Sequence, residues 1–222
     1  MKMFLCFSVI VFVAVSAQAS GIFEDDFEDG TLNKWVIDGR QQGTNLAEVV
    51  DIAGDKNAHL RHTGFTELTI SKSFTYDPLL NFTFDMKSVV SSPYGSQSSE
   101  YSAGGAFFKF INESGIEVGR VVYARSSSDY LSTSYNPLAE WQIFEIGDDN
   151  FHTYSLNAAD LLGNLQIDYA SVKSLQFNFW AYGSGTNSGL VSDVWADDVV
   201  VTPEPATLLL LGLGGLFLRR KK

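Results

Sequence analysis
The chain has 222 residues, with 15 Lys plus Arg against 26 Asp plus Glu, a formal net charge of −11, and a single Cys. That acidity argues against nucleic acid or an anionic lipid surface as partner, because phosphate binding needs clustered Lys and Arg. One Cys also excludes an internal disulfide framework.

At the N-terminus, Lys2 precedes an apolar stretch from Met3 to Val15 and then Ala17-Gln18-Ala19, a small-x-small site. This is the pattern of a secretory signal peptide over residues 1–19, cut after Ala19. Cys6 lies inside the apolar run, upstream of the small-residue site, so it reads as an apolar residue discarded with the signal rather than a lipid attachment point. The exported chain therefore enters an oxidising compartment without a disulfide, and its stability has to come from a core or a metal.

Residues 20–202 read as one domain. Setting aside the five cations and one carboxylate of the terminal segments leaves 10 Lys plus Arg against 25 Asp plus Glu, a net charge near −15. About 180 residues can bury a full core. Short segments of β-branched and aromatic residues recur between turn signals, which is the pattern of an all-β sandwich. Strands are expected near 22–27, 46–51, 58–62, 66–74, 104–111, 117–124, 141–146, 151–156, 173–182 and 192–201. Over Leu80 to Met86 the even positions are apolar and the odd ones polar, so this strand has one buried and one wet face. The only helix expected is short, with Asn157 as N-cap, a body from Ala158 to Leu162 and Gly163 as its close.

Several residues are candidates for chemistry. In the segment Leu175 to Tyr182, Gln176, Asn178, Trp180 and Tyr182 share one face, and an aromatic pair flanked by amides is what a sugar-binding face offers. The same residues also suit packing beneath a covering loop. An exposed Trp180 would favour binding and a buried one a structural role. Loops 88–103 and 125–140, with Tyr94, Tyr101, Tyr130 and Tyr135, have a recognition-like composition that also fits a plain surface loop. His59 and His62 are three apart in a strand and point to opposite faces, which suits surface residues better than a shared metal ion. His152 beside Asp148 and Asp149 resembles a base pair, yet no Gly-x-Ser-x-Gly accompanies it. The chain reads as non-catalytic, with a secreted glycoside hydrolase as the remaining enzyme alternative because the many carboxylates could include a facing pair.

The C-terminus has three parts in order: Pro203-Glu204-Pro205, an apolar run from Ala206 to Leu218, and the basic cluster Arg219, Arg220, Lys221 and Lys222. Thirteen apolar residues rise roughly 20 Å as a helix, short of a ~30 Å hydrocarbon core, and glycines weaken this short hydrophobic helix further. The cations would stay cytoplasmic, leaving the domain on the far side of the membrane. An ordinary tail anchor is the plainer alternative. The segment 203–222 closely resembles the PEP-CTERM sorting signal of Gram-negative bacteria that make extracellular polysaccharide. The resemblance implies recognition at the inner membrane by an exosortase, processing near Pro-Glu-Pro, and delivery to the cell surface or extracellular matrix.

The domain carries a second resemblance. Asp25-Asp26-Phe27-Glu28-Asp29-Gly30 with Trp35, Gly54-Asp55-Lys56-Asn57-Ala58, Phe82 to Ser88, Ser174 to Phe179 and Trp195-Ala196-Asp197-Asp198-Val199-Val200 are similar, in order, to segments of carbohydrate-binding modules with the galactose-binding-like jelly roll. A concanavalin-like sandwich is the alternative. The resemblance implies a structural calcium ion where the first and last strands meet, at Glu28, Asp55 and Asp197, and extracellular polysaccharide as partner. Asp197 falls on the alternation of Trp195, Val199 and Val201, so its carboxylate is expected to face where apolar side chains do and to need a counter-charge. These residues could instead be edge-strand charges that block sheet aggregation. A structural surface or matrix protein without sugar specificity is the corresponding alternative for the whole chain.

Overall fold
The computed structural model describes residues 22–39, 44–64, 66–95, 98–129, 140–165, 167–185 and 189–203. The signal peptide, Glu204, Pro205, the apolar run, Arg219 to Lys222, Tyr130 and Tyr135 lie outside them. The compact β unit runs from Gly21 to Glu204. Its strands are β1 (Phe23–Asp25), β2 (Val36–Gly39), β3 (Thr44–Ile52), β4 (Asp55–Thr63), β5 (Thr66–Thr75), β6 (Leu80–Ser91), β7 (Ser102–Asn112), β8 (Glu117–Ser126), β9 (Glu140–Glu145), β10 (His152–Asn157), β11 (Val172–Gly183) and β12 (Val191–Pro203). Among the described residues the one α-helix is α1 (Ala158–Gly163), followed by a 3₁₀ turn at Tyr169–Ser171.

The strands form two six-stranded sheets. The first has the order β10-β6-β12-β4-β3, with β1 also paired to β12, and the second has the order β2-β5-β11-β7-β8-β9. All pairs are antiparallel except β8 with β9. The expected sandwich is present, and alternation builds it. In β6, Leu80, Phe82, Phe84 and Met86 are buried while the residues between them are half-buried. In β11, Leu175, Phe177, Phe179 and Ala181 enter the same core. At its centre the Phe177 ring lies 4.8 Å from Phe108, 4.8 Å from Phe179 and 5.0 Å from Phe84.

Helix α1 starts as expected: the Asn157 side chain accepts from the backbone N–H groups of Ala159 and Asp160 at 2.8 and 3.4 Å. It ends one residue late, because Gly163 stays helical and Asn164, in the right-handed region, is the C-cap. The assignment of both strand histidines to the surface is corrected. His62 is fully buried and His59 nearly so. They do face opposite ways, since His59 pairs with Trp195 and His62 with Ser192 in the β4–β12 ladder. His62 bonds Asn45 through Nδ1, its Nε2 has no partner among the described residues, and burial lowers its pKa.

Candidate functional site
The four residues Gln176, Asn178, Trp180 and Tyr182 share the outward face of β11, as strand alternation requires. Their cross-strand neighbours on β7 are Lys109, Phe107, Gly105 and Ala103, and on β5 Ser73, Ser71, Thr69 and Glu67. This face is not open throughout. Trp180 is only 7% exposed and joins a second, smaller apolar cluster with Tyr101, Ala103, Phe107, Val122 and Ala124. Its ring lies 5.9 Å from Phe107 and 5.5 Å from Tyr182, and its Nε1 is buried without a partner among the described residues. Its β7 partner Gly105, at φ +154°, lies tight against β8: a Cβ there would be 2.1 Å from the Tyr123 carbonyl oxygen.

The polar half of the face is tied together from within. Asn178 Nδ2 donates to the Gln176 carbonyl at 3.0 Å, and Gln176 Nε2 donates to Ser71 Oγ at 3.4 Å. Asn178 is buried and Gln176 and Tyr182 are half-buried. Burial pushes the Tyr182 hydroxyl up to about 12. Of the loop tyrosines, Tyr101 is buried in the small cluster and Tyr94 is half-buried.

The carboxylates predicted to hold calcium are brought together only in part. A β-bulge interrupts the β12–β6 ladder between Asp197 and Val200, with Asp198 at φ +48°. The bulge overturns the expected parity. Val199 and Val201 face the core, whereas Trp195 pairs with Lys87, and Asp197 with Asp85, on the outer side of β6. Asp197 is nonetheless 6% exposed, and Oδ1 accepts the Asp198 N–H at 2.8 Å. Its carboxyl is pushed up to about 7, first by burial and then by the charges of Asp55 and Asp198, against the lowering effect of the Asp198 N–H. No cation bonds it among the described residues. Burial raises Asp198 as well, with Asp85, Asp55 and Asp26 adding to the effect.

Glu28 is committed elsewhere: its Oε1 accepts the Lys56 N–H at 3.0 Å, and its carbonyl accepts Lys56 Nζ at 2.5 Å. Among the described residues no group of three or more carboxylates, imidazoles or thiols converges closely enough to hold a metal ion. What suits a hard cation is the chemistry of the buried Asp197 with Asp55 beside it, which lacks a counter-charge among the described residues. At the neighbouring β1 edge Asp25 is satisfied differently, accepting from Trp35 Nε1 at 2.7 Å and pairing with Lys34 at 3.0 Å.

Two other polar groupings were partly legible. His152 Nε2 lies 2.7 Å from Asp148 Oδ1, on the surface, and the Asn150 N–H together with His152 lowers Asp148 to about 2. No Ser or Thr bonds His152 among the described residues. The stack of His59 on Trp195, at 4.8 Å and 8°, was not anticipated, nor was Lys87 5.1 Å over the same indole. The signal available was their spacing on two strands whose pairing the sequence does not announce.

At the C-terminal end, β12 runs to Pro203, which pairs with Leu80, while Val201 is fully buried. A family model described as the PEP-CTERM protein-sorting motif matches residues 201–222. The chain therefore carries that motif, beginning within the last residues of the sandwich. No curated protein matches the chain. Among solved structures, one described as bearing on the promiscuous specificity of carbohydrate-binding modules of the β-sandwich superfamily is similar at 13% identity and TM-score 0.45, over 82% of this chain and 61% of that one. The family 11 carbohydrate-binding module from Clostridium thermocellum, in complex with a β-1,3-1,4-mixed-linked tetrasaccharide, is similar at 15% identity and TM-score 0.41, over 81% and 94%. The module TmCBM61, in complex with β-1,4-galactotriose, is similar at 11% identity and TM-score 0.40, over 81% and 94%.

Proposed function
We propose that this is an exported, non-catalytic surface or extracellular-matrix protein of a Gram-negative bacterium, delivered through an exosortase at the inner membrane, whose sandwich binds or organises polysaccharide. The C-terminal sorting motif is the observation that carries the reading. It implies export, and it belongs to signals associated with polysaccharide-producing cells. The face of Gln176, Asn178, Trp180 and Tyr182 is the proposed contact surface, with the half-buried Gln176 amide and Tyr182 phenol for hydroxyls and the buried Asn178 and Trp180 packed beneath. The burial of Trp180 favours the second reading, a structural matrix protein without sugar specificity.

Asp197 and Asp55, with Glu28 released from Lys56, are the side chains proposed to hold a structural calcium ion. The ion would supply the positive charge that the buried carboxylate lacks. Metal binding to the folded chain alone would stabilise it by linkage.

The delivery step is tested by replacing Arg219, Arg220, Lys221 and Lys222 with neutral residues and fractionating the cells. The proposal expects unprocessed protein to accumulate and its surface or matrix fraction to fall several-fold, because the cations define the cytoplasmic end of the signal. Unchanged processing and location would contradict it.

A further inference from the structure
The outer face of the second sheet holds an imbalance of charge. Lys109 on β7 pairs directly with Arg120 on β8, and like charges in that position oppose each other. Both lie over one ring, with Lys109 Nζ 5.3 Å and the Arg120 guanidinium carbon 4.5 Å from the Phe107 centroid. Arg120 is held by Glu117 through two bonds of 2.7 Å. Lys109 bonds no oxygen among the described residues, whereas Lys34, Arg125 and Lys173 each hold a carboxylate.

A domain with 25 carboxylates against 10 cations could readily have supplied a partner. Glu67, Asp38 and Glu117 act on Lys109 only from a distance, and burial together with Arg120 lowers its pKa. A half-buried ammonium facing a guanidinium is stabilised by an added anion. Gln176 and Ser73 stand beside it in the same cross-strand row and offer an amide and a hydroxyl to neighbouring sugar hydroxyls.

We propose that Lys109, with Arg120 behind it, is the subsite that takes the carboxylate of an acidic sugar, a uronic-acid unit of an exported polysaccharide. This rests on the reading that the β11 face meets polysaccharide, and it adds the class of sugar. The overall charge of the protein works against nonspecific capture of a polyanion, so retention by one requires a local cationic site.

The test is affinity electrophoresis of the full-length chain in detergent, through gels containing polygalacturonate, its methyl ester, or a neutral mixed-linked glucan. The expected result is retardation by polygalacturonate, weaker by about tenfold with the ester and weakened by salt. Lys109→Gln should weaken the polygalacturonate interaction by about tenfold with unchanged thermal unfolding, and Glu117→Gln should strengthen it. Equal retardation by acid and ester, or Lys109→Gln behaving as wild type, would overturn the subsite while the polysaccharide reading stands. Retardation by none of the three would count against both.

Discussion

Phe177→Ala is expected to lower the stability of the domain by about 3–5 kcal/mol, the cost of removing a fully buried aromatic whose site cannot collapse. The reason lies in its position. Phe177 packs against Phe82 and Phe84 from β6, Phe108 from β7, its own-strand neighbour Phe179, and Trp35 from the segment entering β2, with centroids between 4.8 and 6.1 Å. These residues join both sheets, so a void opened here cannot be filled by one strand moving. Marginal domains have about 5–15 kcal/mol in total. Chemical denaturation should therefore show a large drop in midpoint at an unchanged slope, whereas a loss below about 1 kcal/mol would mean that the aromatic cluster is not the centre of the core.

Asp197 should give the second large effect, and its sign depends on metal. With chelator present, the folded carboxyl titrates near 7 against an ordinary value of 3.8. The native state therefore holds the proton more tightly, and this contribution to stability is complete below about 3.8 and lost as pH rises through about 7. A shift of that size allows ~4 kcal/mol at full burial. Solvent reaching the neighbouring Asp55 and Asp198 reduces the expectation to about 2 kcal/mol, or roughly 4–8 °C for a domain of this length. In chelator at pH 8, Asp197→Asn should thus melt above wild type. Millimolar calcium should raise the wild type and leave Asp197→Asn where it was. A wild type indifferent to calcium would remove the metal, and an Asn variant no more stable in chelator would remove the buried charge.

The sandwich was legible because its inner strands alternate over long runs. Leu80 to Met86 and Leu175 to Tyr182 each read correctly from period alone. Strand β2 was missed because it is four residues long and its apolar members, Val36 and Ile37, are 66% and 51% exposed. Nothing local marks them as paired.

That Gln176, Asn178, Trp180 and Tyr182 share one side of β11 was legible from alternation, yet the burial of Trp180 was not. Its cover includes Tyr101 and Phe107, and which strand lies beside β11 is a long-range choice that no window contains. Lys109 and Arg120 were missed for the same reason. Each looks like an ordinary surface cation until β7 and β8 place them opposite one another. Asp197 failed in a different way. The carboxylate was identified, but one extra residue in the β12 bulge changes the parity of every side chain beyond it.

Binding to polysaccharide is the claim that most needs a direct measurement. The protein recovered from its producing cells, fractionated after export and verified as folded, should be applied to an array of neutral and acidic polysaccharides. The account predicts saturable binding to at least one of them, lost on thermal unfolding and diminished by Tyr182→Ala on the β11 face. A folded protein that binds none of them would contradict the account and leave a structural matrix component carrying a sorting motif.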